Sequence, residues 1–496
     1  MPYSYQDVSP AQRSFGKVVL LVVVLTLIGN VVAFAYLRPY GILRELSPLA
    51  EAREHIHSRY VGEIDDQVLI DAALRGMADA LGDENTQYLS AEELSFFNEH
   101  VGGHFTGIGA EIDIHEERLR IVAPLDNSPA WNSGVMPGDI VLEIDGNDTL
   151  GIDIYEAMRQ LKGKAGTDVT VKVRHRTGEI VDITITRDTI QVASVRGFRR
   201  NPGNGFDYMI DPDQRIAYLR LTQFGETSLK EVEQTLSTLK SQGMSALILD
   251  LRNNGGGLLD GAAGISDLFL TGGKTIVSTQ GKGPATEAIT STNETLLPDL
   301  PLVVLINENS ASASEIVAGA MLDNERALLV GSRSFGKGSV QQLLPLADGT
   351  SAIKLTTAYW YMPSGKMIHR KPDAERWGVD PSPGCFVPVD VDRLRAMLVK
   401  RREAEVEDPF TQLDGPVTPK WLREEMLDDP LAAALDAARQ MLQKEGWPRV
   451  GIDRDTALAE PTEQESLQQR KQELLDQIEW LDEQIDQLPA DDKGRP

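Results

Sequence analysis

Two short apolar runs, Ala246 to Leu251 and Leu302 to Ile306, constrain this chain most tightly. Each is too brief for an ordinary helix and lacks the polar alternation of a strand with one wet face, so each reads as a buried strand. Strand-like and helix-like segments alternate around them. Ile216–Leu221 reads as a strand, Leu229–Leu239 as a helix and Gly261–Leu270 as a helix. Ser312–Leu322 follows as a helix, Ala327–Val330 as a strand and Ser351–Tyr361 as a longer strand. That alternation predicts a mixed α/β chain with a layered α/β core.

The chain is long enough for about three domains, at 496 residues. Ile42 to Asn98 reads mostly as helix, with Leu69, Ala72, Ala73, Met77 and Leu81 at helical spacing. From Gly102-Gly103 the pattern changes to short β-rich runs: Ile108–Ile114 pairing with Leu119–Val122, then Ile140–Ile144, Val169–Val173 and Ile180–Thr186, with a helix at Ile154–Leu161. A polar stretch rich in Arg, Gly and Asn, Arg196 to Asn204, leads into the α/β core. Beyond the core, Asp408 to Pro448 reads as an appended helical region with an Ala-rich helix around Leu431–Leu442. The expected divisions are 1–40, 41–100, 101–190, 191–390, 391–460 and 461–496.

Both ends carry distinct patterns. Val18 to Leu37 is apolar except for Thr26 and Asn30, long enough for an N-terminal transmembrane helix. Arg13 and Lys17 precede it, which places the N-terminus in the cytoplasm and the body across the membrane. The expected location is an inner membrane, single pass, with the body on the periplasmic or extracytoplasmic side. Ala33-Phe34-Ala35 also resembles a signal-peptide cleavage site, but the apolar run is long for that reading, so an uncleaved anchor is preferred. At the other end Leu467, Lys471, Leu474, Ile478, Leu481, Ile485 and Leu488 form a heptad seam. It suits either a helix packed on its own chain or a coiled coil that joins copies or binds an adaptor.

Composition enters as exclusion. With 75 acidic and 49 basic residues the formal charge is −26, so no global field attracts nucleic acid. The single cysteine, Cys385, excludes an intramolecular disulfide and a thiolate cluster, and reads as a small buried apolar residue. His55, His57, His100 and His104 lack metal-ligand context, and neither a metal nor a cofactor is expected.

Two polar turns follow buried strands, where α/β layers present reactive groups. Asp250 to Gly257 ends in three glycines, whose backbone can approach a ligand and aim N–H groups at an anion. A nucleotide site lacks its G-x-G-x-x-G or G-K-[ST] spacing, which leaves an oxyanion hole for acyl transfer. Asn307 to Glu315 carries Ser310, Ser312 and Ser314 at a strand–helix junction, where a hydroxyl gains backbone donors and the helix dipole. Lys337, between Gly336 and Gly338, can act as a base if desolvated. From these residues alone each serine also reads as a helix cap and Lys337 as a turn residue.

Gly107-Ile108-Gly109, Ser128-Pro129-Ala130, Gly134 through Pro137-Gly138-Asp139 and Ile144-Asp145-Gly146 resemble a PDZ domain. The resemblance implies that Phe105, Gly107, Ile108 and Gly109 form the loop receiving a peptide's C-terminus. Leu251 to Gly257, Ser310 to Ile316, Gly331 to Gln341, Thr356 to Ala358 and Tyr361 to Gly365 resemble the carboxy-terminal processing peptidases, or tail-specific proteases. That resemblance spans roughly residues 40 to 390 and implies a layered α/β serine-peptidase core with an inserted PDZ-like domain. It implies Ser312 as nucleophile, Lys337 as general base, Gln341 as the residue orienting Lys337, and Gly256 with Ala313 as the oxyanion hole. Gln341 follows Lys337 by four positions, which suits one side of a short helical turn. Asp323 matches a supporting acidic position. The implied partners are C-terminal segments of exported or membrane proteins. Two departures stand out: Gly255 replaces a usual proline, and Gly82-Asp83-Glu84-Asn85-Thr86 replaces a usual Asp-Pro-His-Ser.

Three rival readings fit the residues less well. A Ser-His-Asp triad would use His369, but no G-x-S-x-G elbow exists. A penicillin-binding reading of Ser237–Lys240 or Ser334–Lys337 lacks S-D-N and K-T-G. A tethered PDZ scaffold with a silent peptidase-like half would not need Ser312, Lys337 and Gln341 at matched spacings.

Overall fold

The computed structural model describes residues 45–125, 128–200, 205–283, 286–371, 376–406, 417–443 and 446–453, together with Thr26 and Ala374. Thr26 apart, the expected membrane span at 18–37 lies outside the described residues, as does the heptad helix at 467–488. Among the described residues no helix is long and apolar enough to cross a membrane.

The chain divides into two units, residues 1–88 and 89–496. In the first, α1 (45–59) and α2 (Asp66–Asp79) form a helical pair. The expected long helical region is interrupted because Asp65 caps α2, its carboxylate accepting the Gln67 N–H at 2.8 Å. Arg53 and His57 of α1 reach Asp66 at 2.7 and 2.5 Å. Arg53 first, then His57, holds that carboxyl down at about 2.

The second unit opens with α3 (Ala91–Gly102), followed by β1 (His104–Gly107), β2 (Ala110–His115), β3 (Arg118–Pro124) and β4 (Ile140–Ile144). Then come α4 (Ile154–Leu161), β5 (Asp168–Arg174), β6 (Ile180–Thr186) and β7 (Asp188–Gln191). Strands β2 to β6 form an antiparallel sheet in sequence order over a core of Leu119, Ile121, Val141, Ile144, Val171 and Ile185. The segment expected as one loop, Phe105 to Gly109, is only partly so. Phe105 to Gly107 belong to β1, paired with Ile190 to Asp188 of β7, which gives their backbone groups partners that a loop would lack. Gly109 is tightly specified: its φ is +76°, and an added Cβ would lie 2.4 Å from that of Ser128.

The larger α/β part contains β8 (Val195–Arg196), β9 (Met209–Asp211), β10 (Ile216–Leu221), α5 (Ser228–Ser241), β11 (Ala246–Asp250) and α6 (Leu259–Asp267). It continues through β12 (Thr275–Gly281), β13 (Thr286–Thr290), β14 (Leu302–Ile306), α7 (Ala313–Asp323), β15 (Leu328–Gly331), β16 (Ser339–Pro345) and β17 (Ala352–Tyr361). The main sheet runs β8-β10-β11-β14-β15, with β9 also on β10, and β10 to β15 in that order are parallel. Its two faces explain the uniform apolar runs. Leu247, Leu249, Leu302 and Val304 pack with Val232 of α5, Ile265 of α6 and Val317 of α7. Ala246, Ile248, Val303 and Leu305 meet Leu431, Ala434, Leu435 and Ala438 of the C-terminal helix, together with Cys385. Each such fully buried Leu, Ile or Val contributes about 1.5–3 kcal/mol.

A second, antiparallel sheet joins β16, β17, β12 and β13. The closing helices are α8 (Val391–Val406), α9 (Pro419–Glu424) and α10 (Asp429–Leu442), so the C-terminal segment completes the core.

Candidate active site

Both polar turns leave the same edge of the main sheet, because β11 and β14 are parallel neighbours with Asp250 opposite Leu305. Side chains stitch the turns together. The Ser310 hydroxyl donates to the Leu251 carbonyl at 2.8 Å, and the Ser314 hydroxyl to the Asn254 carbonyl at 2.8 Å. The Ala311 N–H donates to that same Asn254 oxygen at 3.0 Å. Ser310 and Ser314 are thus fully buried and engaged in holding backbone. Ser312 is half-buried, immediately before α7.

Ser312 has φ +53° and ψ −114°, a conformation that costs an L residue about 1–3 kcal/mol. Gly256 fits against it: an added Cβ there would lie 2.8 Å from both the Ala311 carbonyl oxygen and the Ser312 Cβ, and 3.0 Å from the Ala313 nitrogen. Gly256 and Ala313 therefore flank Ser312. Ala313 opens α7, where helix geometry leaves an N–H without an intrahelical acceptor. The Gly256 N–H points instead to Asn254 Oδ1 at 2.9 Å. A two-donor oxyanion hole requires that bond to open.

Glu315, in the first turn of α7, links Ser312 to the Lys337 segment. Its Oε2 accepts the Ser312 N–H and the Lys337 N–H, both at 2.8 Å. Its Oε1 accepts the Ser334 hydroxyl and the Gly336 N–H, both at 2.6 Å. Burial raises this carboxyl above the ordinary glutamate value, while the four donors pull the other way. The far side of the Lys337 peptide is fixed as well: its carbonyl accepts the Trp360 indole N–H at 3.0 Å. The Lys337 side chain is half-buried.

Gln341 does not lie on a helical turn. It sits in β16, at a register shift between Val340 and Gln341 against β17. Its amide donates to Ser339 Oγ at 2.8 Å and Thr356 Oγ1 at 3.1 Å. Pairing with β17 gives this backbone a ladder that one isolated turn could not provide. Asp323, at the far end of α7, accepts the Ser364 N–H at 2.9 Å. His369 packs its ring against Tyr359 with centroids 5.1 Å apart.

Below the glycine turn lies a buried charge network. Arg252 donates to both Asp250 oxygens at 2.9 and 2.7 Å and to both Asp428 oxygens at 2.6 and 3.0 Å. Burial alone would raise the Asp250 carboxyl, but the Arg252 guanidinium overrides it and holds the group well below the usual carboxylate range. The Tyr218 hydroxyl donates to Asp250 at 2.7 Å, and Arg401 donates to that hydroxyl oxygen at 3.0 Å.

A profile for Peptidase family S41 matches residues 215–382, and one for a PDZ domain matches residues 120–175. Over 331 residues the chain is 38% identical to the carboxy-terminal-processing protease of Bartonella bacilliformis, covering 66% of this chain and 73% of that protein. The chain belongs to peptidase family S41, with the carboxy-terminal-processing proteases. A probable CtpA-like serine protease of Staphylococcus epidermidis is 34% identical over 365 residues, covering 72% of this chain and 71% of the relative. A solved photosystem II D1 C-terminal processing protease is 27% identical, with a TM-score of 0.40 over 68% of this chain and 86% of that one. As a member of S41, this chain is a serine peptidase with a PDZ domain.

In this S41 peptidase the PDZ domain borders an apolar cavity of about 400 Å³. Phe105, Gly107, Ile108 and Gly109 line it, opposite Met158 and Leu161 of α4. Lys162 also lines the cavity, paired with Glu99 at 3.1 Å. The sequence reading assigned no role to Glu315, Asp428 or Arg401. Glu315 had a local signal, since Ser312-Ala313-Ser314-Glu315 has capping-box spacing. Asp428 had none.

Proposed function

We propose that this peptidase cleaves exported proteins near their C-termini by a Ser-Lys acyl-enzyme mechanism, tethered to the membrane through residues 18–37. The PDZ domain takes a peptide's last residues as an added strand, with apolar side chains in the cavity bounded by Ile108, Met158 and Leu161. Ser312 transfers its proton to Lys337 and attacks the scissile carbonyl. The Ala313 N–H, and that of Gly256 once released from Asn254, stabilise the oxyanion. The leaving amine takes a proton from Lys337, and water then releases the acyl group from Ser312. Gln341 keeps the Lys337 segment in register from β16. The body works on the extracytoplasmic side of the bacterial inner membrane, and the heptad helix joins copies or an adaptor.

One observation carries this reading. Ser312 is the member of its serine trio not enclosed in backbone support, and Glu315 ties its peptide directly to that of Lys337. The experiment is trapping with full-length Ser312→Ala, followed by identification of the bound proteins and their C-termini. Capture that survives blocking of those C-termini would remove tail recognition from the proposal. An acylating probe that still labelled Ser312→Ala would remove the nucleophile assignment, and a pH–rate profile with no rise from Lys337 deprotonation would remove the base.

A further inference from the structure

The Arg-rich stretch that follows the PDZ domain has no part in the proteolytic reading, yet it helps to enclose a second cavity. The ribbon Arg199–Arg200 with Phe206–Asp207, strand β10 and helices α8 to α10 bound a space of about 70 Å³. Arg199, Arg220 and Arg401 line it together with Tyr218 and Asp428, and Leu422 and Leu431 form part of an apolar wall. Each of the three guanidiniums retains a buried N–H with no acceptor among the described residues: Arg199 Nε, Arg220 Nε and Arg401 Nη1. A buried donor without a partner costs about 1–3 kcal/mol, and more when charged.

The nearby carboxylates leave this positive charge poorly balanced. Asp250 and Asp428 are committed to Arg252 at 2.7 and 2.6 Å, while Arg401 reaches them only at 3.4 and 4.0 Å. Asp207 stands 3.9 Å from Arg199. Burial first, and then the Arg401 charge, pulls the Arg220 guanidinium below its ordinary value. Like charges are thus gathered against an apolar wall, in a chain whose formal charge is −26.

We propose that this cavity is a binding site for one small tetrahedral oxyanion of the phosphate class. By the measure in which about 10–15 Å³ already holds one water, about 70 Å³ is room for one such ion. Nε is the unpaired donor on two of the arginines, and it belongs to the guanidinium edge that grips two oxygens at once. The bound anion would neutralise the repulsion between Arg220 and Arg401. It would also steady Arg401, whose other nitrogen supports Tyr218 beside Asp250 and so borders the glycine turn.

The test uses the full-length protein and inorganic phosphate, compared with chloride at matched ionic strength. Calorimetry should give one phosphate per chain, and Tm should rise with phosphate as a saturable binding isotherm, while chloride has no such effect. Arg220→Gln should weaken phosphate binding about tenfold or more, matching the loss of one charge-assisted hydrogen bond at about 1.4 kcal/mol per decade. In phosphate-free buffer the same variant should melt no lower than wild type, because it removes one of two like charges. Arg199→Gln, on the half-buried ribbon, provides an independent variant with the same expected loss. Phosphate binding unchanged in both variants overturns the proposal, as does a chloride response equal to that of phosphate. A response to phosphatidic acid vesicles without one to free phosphate also overturns it.

Discussion

Glu315 accepts the backbone N–H of Lys337 at 2.8 Å, so the proposed base and the helix that begins beside the proposed nucleophile share one buried carboxylate. Positioning here comes from main chain held by a side chain. Glu315→Gln keeps the shape but replaces one acceptor oxygen with an NH₂ group facing N–H or O–H donors. The expected outcome is a kcat loss of about 10²-fold with KM little changed, as for a small displacement of reacting groups. Steady-state kinetics on a tail-bearing peptide check this; a change confined to KM would count against it.

Glu315 also sets a dependence of stability on pH. Its folded value is raised above the ordinary 4.5, so the native state keeps a proton that the unfolded chain has lost. That stabilisation is complete below 4.5 and disappears as pH rises through the folded value. The difference in unfolding free energy between wild type and Glu315→Gln should therefore shift against wild type above that pH and then level off. Urea titrations across the range measure it, and a flat difference would refute the assignment.

Lys337 and His369 are the rival bases. Lys337→Ala should reduce turnover by about 10²–10⁴-fold, the usual contribution of a general base. His369→Ala should retain most activity, since its ring packs on Tyr359. The reverse pattern in kcat would exclude the Ser-Lys mechanism.

Adjacent glycines should respond in opposite ways. An added Cβ at Gly255 meets nothing within 4 Å, so Gly255→Ala should stabilise by about 0.4–1 kcal/mol through the unfolded chain. At Gly256, φ is +103° and the added carbon collides with Ser312. Gly256→Ala should therefore lose activity by about 10²-fold. Comparing melting and turnover for the two variants separates loop stiffness from oxyanion geometry.

Asp428→Ala should destabilise by about 3–5 kcal/mol, because it strands one side of a buried guanidinium. The side chains of Arg252 and Asp428 are only 2% and 5% exposed, so water cannot substitute well for the lost carboxylate. Chemical denaturation measures the loss; a cost below about 1 kcal/mol, the value of a surface pair, would refute it.

Legibility from sequence followed the physics of each segment. Ala246–Asp250 and Leu302–Ile306 were readable because both faces of their sheet are covered, so nearly every position is apolar. Ile154–Leu161 was readable because its apolar residues recur at helical spacing. Strands β12, β13 and β16 were missed because partly exposed Thr, Ser, Gln and Glu residues dilute their pattern. Gln341 was misread because a four-residue interval also suits a strand with a register shift. Nothing near Asp428 announces a partner 176 residues earlier, since such an ion pair leaves no local periodicity.

That same separation has a temporal meaning. A chain is made from its N-terminus, so Gly256, Ser312 and Lys337 all exist before Asp428 can reach Arg252. Asp250 can hold Arg252 from the start, but the second carboxylate on that guanidinium comes only with Asp428. Any chain cut short before residue 428 leaves Arg252, at the base of the glycine turn, without the Asp428 half of its buried pairing.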